Sequence, residues 1–250
     1  MKKITIITMI GIILILNSLR VFADTTYVAG TIVNETWTIN GSPYCATDDL
    51  FISGLTIDPG VEVLFLGDFA FEIGGMLTSI GTEQDSIKFN KVDSIAGWQG
   101  IYFNYSSPGS EIAYTRIEGS QNSGIRIVNS EPILRNSLIT NNSATSGIGG
   151  GIYTNSVVTI EDCGISNNSI TTGDIYHFGA GIYSIVELTL VNCDISNNNI
   201  YRTGSNVGTK GGGIYATGIL NVEGCTISGN TLYAHGSNWS NHSFGEVEYV

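Results

Sequence analysis

Basic side chains are scarce in this chain, and their scarcity excludes several classes of partner. The 250 residues hold 10 Lys and Arg against 22 Asp and Glu, for a formal charge of −12 at pH 7. Phosphate contacts need a basic surface, so we expect no nucleic-acid partner. Anionic membranes are disfavoured for the same reason. An acidic polysaccharide would need a bridging cation or a local basic strip.

Long apolar runs are also missing after the N-terminus, so we expect no membrane span in the mature chain. Lys2 and Lys3 precede an apolar stretch at 4–16, and Val21, Phe22 and Ala23 form a cleavage-type sequence. This pattern predicts a signal peptide over residues 1–23 and a mature segment over 24–250. No cysteine follows the apolar stretch to carry a lipid anchor. The protein is therefore expected to be secreted or at the cell surface, with outer-membrane association as one form of the latter.

Helical periodicity is absent, and a repeated cassette takes its place. It reads GGGIYTNSVVTIEDCGISNN at 149–168, GAGIYSIVELTLVNCDISNN at 179–198 and GGGIYATGILNVEGCTISGN at 211–230. Fixed internal spacing at a repeat of about 30 residues is typical of a solenoid in which one unit stacks on itself. Alternating apolar residues within each cassette predict three short strands per turn, with one side of each strand inward.

Aligned turns place like residues in columns that we expect to stack in the interior. The clearest columns are Ile165, Ile195 and Ile227, and at a bend Asn168, Asn198 and Asn230. Stacked Ile side chains fill a β-sheet interior with few voids, and stacked Asn amides can bond between turns. Both columns extend backwards, through Ile139 and Asn142.

A third column holds Cys163, Cys193 and Cys225, where earlier turns have Ser137 and Thr115. Parallel stacked side chains aim poorly at one another, which favours free buried thiols over a disulfide. A disulfide remains the alternative. A linear stack cannot surround a tetrahedral ion, so these thiols are not expected to hold a metal. No cofactor is expected.

These residues resemble the right-handed parallel β-helix repeat family, which has the pectate-lyase fold. The GGGIY and ISNN elements are also similar to repeats of polymorphic outer membrane proteins and other bacterial surface β-helix proteins, and residues 36–65, 81–89 and 97–103 resemble the opening coils of secreted members. The resemblance implies an all-β, single-stranded right-handed parallel β-helix of about nine coils over 24–250. We expect further coils or a downstream domain beyond residue 250.

Catalytic residues are not expected. The paired Asp and Gly-His-Gly element of galacturonase-like members are not found. A calcium-dependent lyase would draw on charged candidates that are better explained as ordinary surface residues: Glu161, Asp162, Asp194 and Glu223, with Arg116, Arg126 and Arg135. We therefore expect a non-enzymatic scaffold for adhesion or glycan contact. A polysaccharide lyase- or hydrolase-like protein of the pectate-lyase group is the alternative.

Two surfaces are candidates for binding a carbohydrate or another surface protein. The first is an outward column of Tyr153, Tyr183 and Tyr215, whose rings either stack on sugars or simply cover one another. The second is a ridge of inserted loops, since the connection that follows the Asn column lengthens from turn to turn. This ridge carries His177, Tyr201, His235 and Trp239. Three interpretations of this ridge are open: a surface that recognises a ligand, a metal site, or loops that pack only on themselves.

Overall fold

The computed structural model describes residues 25–145, 147–171, 177–203, 209–235 and 247–249, and it is a solenoid of parallel strands. Each turn of chain passes through three faces, named A, B and C in chain order. Eight turns contribute to all three faces, and one more strand lies on face A of a ninth turn. The predicted all-β parallel β-helix of about nine coils is confirmed.

Face A holds one strand, or part of a strand, from each turn. Its strands are β1 (Thr26–Ile32), β3 (Tyr44–Ile57), β5 (Phe71–Ile80), β7 (Ile101–Asn104), β10 (Ile125–Val128), β14 (Ile152–Thr154), β19 (Ile182–Ser184), β24 (Ile214–Ala216) and β28 (Val247–Tyr249). The long strands β3 and β5 continue around a corner from face A to face B, each pairing on both faces.

Faces B and C follow the same plan. Face B adds β2 (Glu35–Trp37), β8 (Glu111–Ala113), β11 (Ile133–Arg135), β15 (Val158–Glu161), β20 (Leu188–Val191) and β25 (Leu220–Glu223). Face C contains β4 (Glu62–Phe65), β6 (Ile87–Lys91), β9 (Thr115–Glu118), β12 (Leu138–Thr140), β16 (Gly164–Ser166), β21 (Asp194–Ser196) and β26 (Thr226–Ser228), and the first residues of β1 and β3. One 3-10 turn, Ile39–Gly41, lies between β2 and β3.

A lateral extension protrudes between the end of face C and the start of the next face A. One sheet of it contains β13 (Ser143–Ala144), β17 (Ser169–Ile170), β22 (Asn199–Thr203) and β27 (Thr231–His235), and a two-stranded ribbon contains β18 (His177–Phe178) and β23 (Thr209–Lys210). Ala144, Ile170, Ala180 and Ile200 are fully buried and form a second small core within it. The inserted segments therefore extend the solenoid with stacked strands of their own.

The main core changes character along the axis. In the later turns it consists of aliphatic columns, such as Ile165 paired with Ile139 and Ile195, and all three side chains are buried. In the first turns aromatic rings fill the interior, and Trp98 stacks on Phe65 with ring centroids 4.0 Å apart. Burying each such side chain contributes roughly 1.5–3 kcal/mol. The core thus supplies most of the stability, and its register fixes which side chains face outward.

Buried asparagines connect the turns on the side of the lateral extension. The Asn198 Nδ2 donates to the Asn230 Oδ1 at 2.9 Å and to the Ile165 carbonyl oxygen at 2.8 Å. Its Oδ1 accepts from the backbone N–H and the Nδ2 of Asn168, both at 3.0 Å. The pattern repeats at Asn142 and Asn168. In this Asn ladder, the amides of Asn142, Asn168 and Asn198 thus bond to the turns before and after them, and that of Asn230 bonds to the turn before it.

The cysteine column lies at the start of face C. Cys163 and Cys193 are buried, Cys225 is partly exposed, and no disulfide joins any of the four cysteines. The Cys193 Sγ donates to the Ile160 and Val191 carbonyl oxygens, both at 3.3 Å, and its backbone N–H donates to the Cys225 Sγ. Burial raises the thiol pKa to about 12 for Cys163 and to about 11 for Cys193. These thiols are therefore protonated at neutral pH.

Candidate binding surface

The outward tyrosine column follows from the register of face A. Tyr153 pairs with Tyr183, and Tyr183 pairs with Tyr215, on strands whose neighbouring residues point into the core. The ring centroids lie 5.5 Å and 5.6 Å apart, with interplanar angles of 17° and 13°. Each ring covers the face of the next one. The column therefore presents mainly ring edges and hydroxyl groups to solvent. This geometry fits the second interpretation given above, in which the tyrosine rings cover one another.

An arginine extends the same column into the preceding turns. The Cζ of Arg126 lies 4.8 Å from the centroid of Tyr153 and 5.4 Å from that of Tyr102. A guanidinium between two aromatic rings gains cation–π attraction on both of its faces. Arg126, one of the charged candidates for a calcium-dependent lyase, is thereby built into the stack.

The lateral ribbon covers the other end of the column. The Phe178 ring stacks on Tyr215 at 4.6 Å, and the Lys210 Nζ lies 5.8 Å from the same ring. Tyr215 is consequently only 8% exposed. The pKa of the Tyr183 hydroxyl is raised by burial and, to a smaller degree, by Tyr153 and Tyr215. The repeat cassettes did not lead us to expect Lys210 beside the tyrosine column. A sequence signal for it was present, because Phe178 and Lys210 each directly precede the first glycine of a cassette.

A second aromatic pair lies on the sheet of the lateral extension. Tyr201 and Tyr233 are paired in β22 and β27, and their rings stack 4.9 Å apart at 12°. They remain 53% and 41% exposed, because alternation in these strands turns Ile200 inward and the tyrosines outward. The small core beneath them holds their backbone in place.

The other candidates from the loop ridge are not all at the surface. His177 is fully buried, so it does not belong to an exposed ridge. The reason is strand alternation in β18, which directs His177 inward and Phe178 towards the tyrosines. His235 ends β27, and Trp239 lies outside the described residues.

The charged candidates do not form a single group, although Arg116 and Asp162 line one cleft. Glu161 and Asp162 are exposed on one turn, and Asp194 and Glu223 are exposed on the two turns that follow. Arg116 is paired with Glu118 at 2.7 Å and Arg135 with Glu111 at 2.6 Å. Within the described ranges, no group of three or more His, Cys, Asp or Glu side chains is arranged to hold a metal ion.

The geometry defines a parallel β-helix with outward aromatic columns, and the family comparison agrees. A family model described as "right handed beta helix region" matches residues 76–245, which is more than half of the chain. The chain belongs to this right-handed β-helix family. Neither the curated proteins nor the solved structures with which it was compared gave a match. In the part of the chain described by the structure, no helix has the length and apolar character to cross a bilayer.

Proposed function

We propose that this protein is an exported, non-enzymatic β-helix scaffold that contacts glycans at the cell surface through the lateral extension. The observation that carries the proposal is the exposed, stacked pair Tyr201 and Tyr233. Tyrosine combines a flat apolar ring with a hydroxyl group, which matches the apolar and polar sides of a sugar. Rigid aromatic side chains also lose little conformational entropy when they bind.

The pair has an open end that a sugar can cover. By continuation of the pairing between β17 and β22, Thr171 occupies the place of Tyr201 in the preceding turn. Threonine has no ring to cover the Tyr201 face on that side. In the column on face A, by contrast, rings or a guanidinium already cover the neighbouring faces. We therefore assign the sugar contact to Tyr201 and Tyr233, and a supporting role to Tyr153, Tyr183 and Tyr215.

The condition of the basic residues supports a binding role over catalysis. A general base in a lyase must be available to take a proton from the substrate. Arg116 and Arg135 are engaged in ion pairs, and Arg126 lies between two tyrosine rings. The exposed acidic candidates, Glu161, Asp162, Asp194 and Glu223, are spread over three turns.

A glycan array tests the proposal with Tyr201→Ala and Tyr233→Ala. Each change removes one ring of the exposed pair, and we expect retention of the bound oligosaccharides to fall by about tenfold. Tyr27→Ala is the matched control, because Tyr27 is 68% exposed on β1 and lies outside the lateral extension. Equal retention of the wild type and both variants would contradict the proposal. Retention of a surface protein without any glycan would shift the assignment to protein adhesion.

Export is tested separately through residues 1–23. Fusing them to a reporter enzyme that matures only outside the cytoplasm should give activity, because they have the basic start, apolar stretch and cleavage sequence of a signal peptide. Deleting 4–16 should abolish this activity. A fusion that stays inactive would remove the surface location from the proposal.

A further inference from the structure

The corner between faces B and C is formed in the later turns by a residue with left-handed backbone conformation. One residue of each later turn adopts a left-handed conformation there, namely Tyr114 (φ 47°), Asn136 (φ 48°), Asp162 (φ 51°), Asn192 (φ 53°) and Gly224 (φ 65°). Asn, Asp and Gly enter this region at low cost, whereas a bulky side chain is strained in it. Strained residues cluster at functional sites. Tyr114 is therefore the residue of this corner that needs an explanation.

A loop rises beside Tyr114 and is held against it by hydrogen bonds. It is the connection of residues 81–86 between β5 and β6. The Gly81 N–H donates to the Ala113 carbonyl at 3.0 Å, and the Ile87 N–H donates to the Tyr114 carbonyl at 3.1 Å. Inside the loop, the Asp85 N–H donates to the Thr82 Oγ1 at 2.9 Å. The loop is thus a fixed wall next to the strained tyrosine.

The loop and the corner border an open cleft of about 590 Å³. This volume is within the range of roughly 300–1,000 Å³ that is usual for small-molecule sites. Tyr114, Asn136 and Asp162 line it as three successive corner residues, and Glu83, Arg116 and Leu138 line it as well. Tyr114 and Leu138 offer apolar surface, and the others offer hydrogen-bonding groups.

The charges of the cleft decide which ligands suit it. Arg116 donates through Nε and Nη2 to the Glu118 Oε2, at 2.9 Å and 2.7 Å, so its charge is already neutralised. Glu83 and Asp162 add two exposed carboxylates. An anionic ligand would meet uncompensated negative charge in this cleft. Carboxylates and an amide beside an aromatic ring suit the hydroxyl groups and apolar face of an uncharged sugar.

We infer that this cleft is a second ligand site, separate from the lateral extension, and that it binds a neutral saccharide. Tyr114 supplies the apolar platform, and Asp162 and Asn136 bond to the sugar hydroxyls. The steric strain at Tyr114 is retained because an asparagine there would lack the ring.

The test uses Tyr114→Asn and Asp162→Asn in the full chain. Asn at 114 restores the residue type found at Asn136, so the melting temperature should stay equal or rise. Asp162→Asn removes one cleft carboxylate at a position where Asn also tolerates the left-handed backbone. The controls are Tyr105→Asn, which relieves the same kind of strain (φ 52°) outside the cleft, and Asp194→Asn on face C.

Binding is measured on an array of neutral hexasaccharides (gluco-, xylo- and manno-) beside oligogalacturonate. All variants carry Tyr201→Ala, so that the lateral extension contributes little. We expect retention of a neutral saccharide that falls by about tenfold or more in Tyr114→Asn and Asp162→Asn, and not in either control.

Retention of only oligogalacturonate, or no retention in the Tyr201→Ala background, would overturn the inference and leave the proposed function intact. Undiminished retention in the cleft variants would overturn it too. If Tyr114→Asn has a lower melting temperature than its parent, the Tyr114 ring contributes to packing. The saccharide retention of Asp162→Asn alone then decides whether the cleft is a ligand site.

Discussion

Replacing Asn198 by Leu should destabilise the solenoid strongly, although the two side chains have a similar branched shape. Asn198 is fully buried, and Leu cannot replace its amide in the Asn ladder. The Asn168 N–H loses the Asn198 Oδ1 as its acceptor, and the Ile165 carbonyl loses one donor. A buried polar group left without a partner costs roughly 1–3 kcal/mol. We expect a loss of about 2–4 kcal/mol in the free energy of unfolding.

The measurement is a guanidinium titration followed by circular dichroism, together with hydrogen exchange at the Asn168 amide. Because turns of a solenoid contact mainly their neighbours, the faster exchange should be confined to the turns around Asn198. Asn197→Gly is the matched control. Asn197 is exposed with φ 56°, and Gly229 occupies its place in the next turn, so the change should stay within about 0.5 kcal/mol. Equal midpoints for the wild type and Asn198→Leu would refute the structural role of the Asn ladder.

Three further outcomes test the core and the thiols. Ile195→Asp places an unpaired charge in a fully buried column and should cost about 4 kcal/mol or more, so unchanged melting would contradict the inward register. Thiol labelling should count four free cysteines after unfolding and should be slow for Cys163 and Cys193 in the native protein at pH 8; a count of zero would indicate two disulfides. Since burial raises the folded pKa of these two thiols above the ordinary 9.0, to about 12 and 11, stability should be unaffected by them below pH 9 and should fall as the pH rises above it. Unfolding midpoints compared between wild type and Cys163→Ser at pH 7 and pH 10 check this sign.

The later turns could be predicted from the sequence because their columns repeat at constant internal spacing. Ile165, Ile195 and Ile227 align as expected, as do the tyrosines of face A. In a parallel stack the pairing partner is the same position of the next turn. One alignment of the cassettes therefore predicts the register of every strand in them.

The first turns carry a weaker signal. Strands β3 and β5 continue around a corner with a shift in register, and only the glycines Gly54, Gly74 and Gly75 mark the boundary between faces. Their interior is filled by side chains of unequal size, such as Trp37, Phe65 and Phe71. Such packing is complementary in three dimensions and leaves no column of like residues to align.

The sequence predicted where the residues of the candidate surfaces lie in the solenoid. It did not predict how far solvent reaches each side chain. The spacing of Tyr215 predicts that it points outward, but the covering by Phe178 and Lys210 depends on how the inserted segments fold. The inward direction of His177 depends on where strand β18 begins. A strand of two residues is too short for its start to be predicted from the sequence. Tyr114 aligns with Asn136, Asp162 and Asn192 of the following turns. Because Asn and Asp favour a left-handed backbone, this alignment could have predicted the positive φ of Tyr114.

The placement of the insertions has a practical consequence. Within the described residues, inserted segments leave the solenoid just after an asparagine of the Asn ladder and return at a glycine before face A, as between Asn198 and Gly213. The attachment points are therefore set by hydrogen bonds and core contacts that do not depend on the insert's own sequence. A foreign peptide grafted between them would be displayed beside equivalent grafts from adjacent turns, at the interval of roughly 4.8 Å that separates paired strands. The chain thus offers a scaffold for presenting repeated epitopes in a row.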